Sequence, residues 1–310
     1  MPGSARSTVT ARARLVLLLI ALGGLVLAAA GPDRSGQART ARPTDRGMFV
    51  SVLGKDGAPV AGLTAADFVV REDGVAREVL GVERATEPIT LALVIDNSQA
   101  AAPHIADMRE GIRAFAKRLA GKNPMAVTVC GERPSIFTDY TLDAAAIEKG
   151  IDRLFPMTGS GSYLVQAVDE VAKGLAKREF ERAVIVAVTN GGPEFTERYY
   201  QDFIPRLRDS GATFHAVVIA PQPPNLSDYG ERNRELFLEA APRATGGNRV
   251  TLLSSQALAA TLKRLADELT NQYRLTYARP ETLIPPERIE VSVKGAGLVA
   301  RGTPVKPRKQ

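Results

Sequence analysis

Tryptophan is absent from the 310-residue chain, cysteine occurs once and histidine twice. Each absence removes a class of function. The single thiol, Cys130, closes no internal disulfide, so the fold rests on its apolar core alone. Its setting among valines predicts a small buried strand residue rather than a reactive thiol. A zinc centre wants three or four nitrogen- or sulfur-rich ligands, and the chain lacks them. With aromatics at 5%, the core must be aliphatic. Net charge is also small. The net charge is +6, and Arg6, Arg12 and Arg14 in an acid-free N-terminal segment supply three of those charges. An excess this small argues against nucleic acid as a partner.

Leu15–Ala30 is an unbroken run of apolar and small residues behind that basic start, closed by Ala28-Ala29-Ala30. The pattern predicts a signal peptide over 1–30 and an exported product: periplasmic, secreted or anchored facing outward. The rival expectation keeps the segment as an uncleaved anchor, the chain's sole contact with a membrane. No cysteine follows for lipidation, and no arginine pair marks twin-arginine export. Residues 31–47, rich in Pro, Gly, Arg, Asp and Thr, read as a flexible spacer. The basic residues Lys306, Arg308 and Lys309 read as a solvated tail over 305–310.

Between these ends the pattern changes twice. Residues 48–86 hold short strand-like runs punctuated by Asp56-Gly57 and Asp73-Gly74, a small β module. From 87 to 271 strands alternate with amphipathic helices. Ile89–Ile95 is continuously apolar, and Ile105, Met108, Ile112, Phe115 and Leu119 form one helical stripe. This predicts an α/β domain with a doubly wound, mainly parallel sheet. Residues 272–304 return to strand character, with a hairpin expected across Gly295–Gly297. The two β segments are expected to pack together, with the α/β domain inserted between them.

In an open parallel sheet ligands sit at the carboxyl ends of the strands, at the switch point. The first α/β strand ends there in Asp96-Asn97-Ser98-Gln99-Ala100. Later come Gly161-Ser162-Tyr163-Leu164 and Thr189-Asn190-Gly191. In order and setting these resemble the three metal-site loops of von Willebrand factor A domains: Asp-x-Ser-x-Ser, Gly-Thr-x-Leu and Thr-Asp-Gly. Gly57–Phe68, Arg71–Gly74, Tyr273–Tyr277 and Arg288–Val291 are similar to the flanks of a bacterial subfamily of such proteins.

The resemblance implies a hard divalent cation held by oxygen ligands, completed by a carboxylate from a protein partner. It assigns the metal positions to Asp96, Ser98, Ser162 and Asn190. Here Ala100 stands where the family has serine, and Asn190 where it has aspartate, so one hydroxyl and one charge are lost. Mg²⁺ or Ca²⁺ at such a set is expected to bind weakly or not at all. Asp96, Ser98 and Asn190 are then expected to hydrogen-bond one another and hold the loops.

Other chemistry finds no support in the sequence. Gly159–Ser162 lacks the lysine of a P-loop and the spacing of a dinucleotide fingerprint, so no cofactor is expected. No Gly-x-Ser-x-Gly elbow occurs, and neither His104 nor His215 is paired with a nucleophile. His215 reads as part of a strand's polar face, and Asp169-Glu170 and Glu194 with Glu197 as solvated helix surfaces or caps. No catalytic residue is expected. The expectation is an exported module that recognises an unidentified protein partner through Asp96, Ser98, Ser162, Asn190 and Tyr229. The alternative is a structural or assembly component of the cell envelope with a vestigial site.

Overall fold

The computed structural model describes residues 43–220, 223–280 and 284–306. The expected leader, most of the expected spacer, Arg308 and Lys309 lie outside them.

The strands are β1 (Pro43–Leu53), β2 (Phe68–Glu72), β3 (Val75–Arg77), β4 (Val79–Arg84), β5 (Ile89–Ile95), β6 (Met125–Val129) and β7 (Ser135–Thr141). They continue as β8 (Arg182–Asn190), β9 (Ala212–Ile219), β10 (Arg249–Leu252), β11 (Tyr273–Pro280), β12 (Ile289–Val293) and β13 (Val299–Pro304). The helices are α1 (Ile105–Leu119), α2 (Ala144–Asp152), α3 (Leu164–Ala176), α4 (Ile204–Ser210), α5 (Tyr229–Thr245) and α6 (Leu258–Thr270).

The central sheet runs β10-β9-β8-β5-β6-β7, parallel except for β7. Every residue of β8 and β9 is buried, because the sheet is covered on both faces. Leu91, Leu93, Ile95, Val184 and Val186 meet the stripe of α1 with α2 and α6. Ala92, Val94, Ile185 and Phe214 meet α3, α4 and α5. This is the expected doubly wound α/β architecture. Because β5 lies between β6 and β8, the switch point falls at its carboxyl end.

The two terminal β segments do pair. β1 lies antiparallel to β11 (Val50 opposite Tyr273) and to β13 (Val50 opposite Gly302). β2 lies antiparallel to β12 (Val70 opposite Val291). The sheets β13-β1-β11-β4 and β12-β2-β3 share a core of Met48, Val50, Phe68, Val70, Leu275 and Tyr277, with Val291 packed against it. Within it, buried Glu72 accepts from Arg77 Nε, Arg279 Nε and Tyr277 OH, each at 3.0 Å.

Several expectations are corrected. β12 and β13 form no hairpin; they belong to different sheets. Gly295 and Gly297 take positive φ (138° and 79°), which carries the chain from one sheet to the other. The spacer was expected through Gly47, yet Pro43–Gly47 is strand, because β11 supplies hydrogen-bond partners that need no apolar period. Lys306 is not a free tail residue. Its Nζ donates to Ala176 O at 2.9 Å and lies 5.5 Å from the Phe180 ring centre. Glu197 lies before the helix rather than on it: α4 begins only at Ile204, where Pro205 favours the first turn. Asp169 is buried rather than solvated, held by Arg206 Nε and Lys173 Nζ at 2.6 Å each. No described helix is long and apolar enough to cross a membrane.

Candidate functional site

The carboxyl ends of β5 and β8 place Asp96 beside Thr189 and Asn190. Asp96 is fully buried. Its Oδ1 accepts from Ser98 N at 3.0 Å, closing a local turn that starts the loop. Its Oδ2 accepts from Thr189 Oγ1 at 2.9 Å and Asn190 N at 3.2 Å. Asn190 Nδ2 donates back to Asp96 O at 3.2 Å. One carboxylate thus fastens the first loop to the third.

Ser162 joins the cluster through its backbone. Ser162 N donates to Pro193 O and Phe195 N to Ser162 O, both at 2.8 Å. Its hydroxyl faces Cys130 Sγ at 3.8 Å, and burial pushes that thiol well up, out of reactive range. Tyr229 stands apart from the cluster, half-exposed at the start of α5, with its hydroxyl donating to Glu197 O at 3.4 Å.

Three contributors escape a reading of the sequence. Asn97 accepts from Gly131 N at 2.9 Å and donates to Phe155 O at 3.0 Å. Glu194, expected as a solvated helix surface or cap, is 4% exposed. Its Oε2 accepts from Leu164 N at 3.2 Å, capping α3 from another loop, and its Oε1 accepts from Thr196 Oγ1 at 2.5 Å. Burial outweighs those bonds and raises its carboxyl from 4.5 to about 7. Arg234, on α5, is 1% exposed and donates through Nη1 to Gly192 O at 2.8 Å. None of the three sits in a local pattern that announces burial.

Gly230 fixes how α5 meets this loop. A β-carbon there would fall 1.8 Å from Glu194 O, a contact that only backbone displacement relieves. Gly230→Ala is therefore expected to lower the unfolding free energy by about 2 kcal/mol, as overpacking does. A urea midpoint equal to wild type would show that the loop yields freely.

The donor set does not fit a resident Mg²⁺ or Ca²⁺. Both Asp96 oxygens already accept from protein donors, and the Ala100 side chain carries no oxygen. Asn190 Oδ1 is buried without a partner, but it is one neutral oxygen. Hard cations need several oxygens and carboxylate charge. Among the described residues, no three His, Cys, Asp or Glu side chains come together as a metal cage.

A doubly wound sheet with Asp-x-Ser, a serine-bearing second loop and a strand-ending third loop at its switch point defines an open-sheet α/β domain. Residues 91–193 match the family described as von Willebrand factor type A domain. Over those residues, about a third of its length, the chain is similar to that family.

It is similar in structure to the conserved hypothetical protein BatB from Bacteroides thetaiotaomicron, with 13% identity over 59% of this chain and all of that one, at a TM-score of 0.45. A von Willebrand factor type A protein from Catenulispora acidiphila gives 12% identity over 86% of this chain and 73% of that one, at 0.47. Proximal thread matrix protein 1 from the mussel byssus, solved with a zinc-occupied metal-ion-dependent adhesion site, gives 14% identity and 0.47. That match covers 64% of this chain and 49% of that protein. No curated protein matches the chain.

Proposed function

We propose that this chain is an exported recognition module that grips a protein partner with the carboxyl-edge loops of its sheet and needs no cation to do so. The observation that carries the reading is one group of exposed apolar side chains. Phe155, Met157, Phe195, Leu226, Tyr229 and Leu253 all lie on or next to loops of that edge, each at least 40% exposed. Exposed aromatic and aliphatic side chains gathered around one rim are the usual anchors of a protein interface. Beneath them, the Asp96 cluster holds the loops in place, a preorganisation that spares ordering entropy on binding. Export rests on the basic and apolar pattern of residues 6–30.

Binding rather than turnover is the activity assigned. His215 is fully enclosed, and Cys130 is a protonated buried thiol, so neither serves as base or nucleophile.

Photo-crosslinking tests this in the cells that make the protein. A benzophenone side chain at Phe195 is expected to capture one protein species, equally with and without EDTA. The Phe155→Ser/Tyr229→Ser double variant, still folded, is expected to lose that capture about tenfold or more. Capture from a probe on the outer face of α1 or α2, and none from Phe195, would support the envelope-scaffold reading instead. Abolition by EDTA would overturn the cation-free mode.

A further inference from the structure

Beside the Asp96 cluster, at the carboxyl ends of β8, β9 and β10, lies an open cavity of about 650 Å³. Part of its wall is apolar, formed by Val218, Ile219, Pro223, Pro224 and Leu253. The charged groups around it are unevenly matched. Arg249 Nη2 pairs with Glu235 at 2.6 Å, and Glu231 Oε2 accepts from Asn225 N at 2.8 Å.

Arg234 has no such match. Its Nη1 reaches a neutral carbonyl, its Nε has no acceptor, and no described carboxylate lies within ion-pairing distance of it. Glu194 is close enough to feel its charge but accepts from Leu164 N and Thr196 Oγ1, and no hydrogen bond or ion pair joins it to Arg234. A guanidinium removed from water without an anion is costly, and such a group at a cavity wall calls for one. Asn190 Oδ1, in the same wall, lacks a donor.

We propose that this cavity receives a carboxylate, presented by an acidic residue of the protein partner, with Arg234 as its counter-charge. The inference rests on the recognition reading and names the chemistry of its ligand. A guanidinium offers two parallel N–H groups in the plane that a carboxylate fits. The stem of an aspartate or glutamate suits the apolar wall, and its peptide N–H suits Asn190 Oδ1. Phosphate has the same fork geometry, but its second charge would face Glu231 and Glu235.

The test uses two probes on the full chain. The first is glutarate, titrated while amide resonances of Gly191, Gly192 and Arg234 are followed by NMR. Saturable shifts are expected at millimolar glutarate, absent with neutral glutaramide and weaker with inorganic phosphate. Arg234→Met is expected to keep or raise the melting temperature, since it removes an unpaired buried charge, yet to lose the shifts. Arg234→Lys is expected to keep part of them. Identical shifts in wild type and Arg234→Met, stronger binding of phosphate, or none with glutarate would each overturn the proposal.

The second probe is a displayed random-peptide library selected on wild type and counter-selected on Arg234→Met. Enrichment of Asp or Glu supports a partner's side chain as the source. Glutarate binding with no peptide selected keeps the carboxylate and removes the partner, which fails the recognition reading alone. Peptides selected without acidic residues, together with silent glutarate, keep that reading and sink the carboxylate.

Discussion

Asp96→Ala is expected to cost about 3–5 kcal/mol of unfolding free energy, a large fraction of what a domain possesses. The side chain is fully buried and accepts from Ser98 N, Thr189 Oγ1 and Asn190 N. Alanine leaves all three donors without an acceptor in a place water does not reach. Each such loss carries its own desolvation cost of about 1–3 kcal/mol.

Denaturant unfolding with and without Mg²⁺ measures this. The loss is expected to be the same in both, because the carboxylate works as a clamp between loops rather than as a metal ligand. Asn190→Asp sharpens the contrast. It puts a second carboxylate against Asp96 O, where an amide now donates, and is expected to destabilise in EDTA. A midpoint for Asp96→Ala within 0.5 kcal/mol of wild type (about the size of a neutral surface change) would mean the cluster holds nothing in place.

Glu194 and His215 are expected to give this protein two opposed pH dependences that conceal one another. Burial pushes the His215 imidazole down from 6.5 to about 4, and neither ring nitrogen has a partner. Glu268 favours its charged form and Arg301 opposes it, while Arg264 and Asp56 line the same small cavity. The unfolded chain binds that proton more readily. Stability from His215 is therefore complete above pH 6.5 and lost as the pH falls towards 4, by about 3 kcal/mol.

Glu194 behaves in the opposite sense. Its carboxyl rises from 4.5 to about 7, so the folded state holds the proton longer. Stability from it is complete below pH 4.5 and lost as the pH rises through 7, again by about 3 kcal/mol. Between about pH 4.5 and 6.5 the two slopes offset.

Single variants separate them. Glu194→Gln is expected to raise stability at pH 7.5 and to leave a curve that climbs with pH from 4 to 6.5. His215→Leu is expected to leave a curve that falls with rising pH. Urea midpoints at four pH values between 4.5 and 7.5 decide the matter. A His215→Leu curve superimposable on wild type would refute the histidine half.

The sequence alone determined the fold class and where its switch-point loops fall. Largely apolar strands at 89–95 and 183–189 alternate with helices of one apolar stripe, and such periodicity states which face of each element is covered. A strand that ends in Asp96-Asn97-Ser98 at the switch point likewise locates a loop cluster.

Tertiary structure decided what periodicity cannot carry. Glu194, Asp169 and His215 look like surface residues in sequence, and only the packing of distant segments encloses them. Glu194 caps a helix that begins 30 residues earlier in the chain. Arg234 acquires its meaning from a cavity walled by three strand ends. The pairing of β1 with β11 spans more than 200 residues, and β13 leaves β12 for β1 because a shared core rewards that exchange. Local pattern fixes which groups seek burial; the assembled fold fixes which polar groups are buried with them and what they meet.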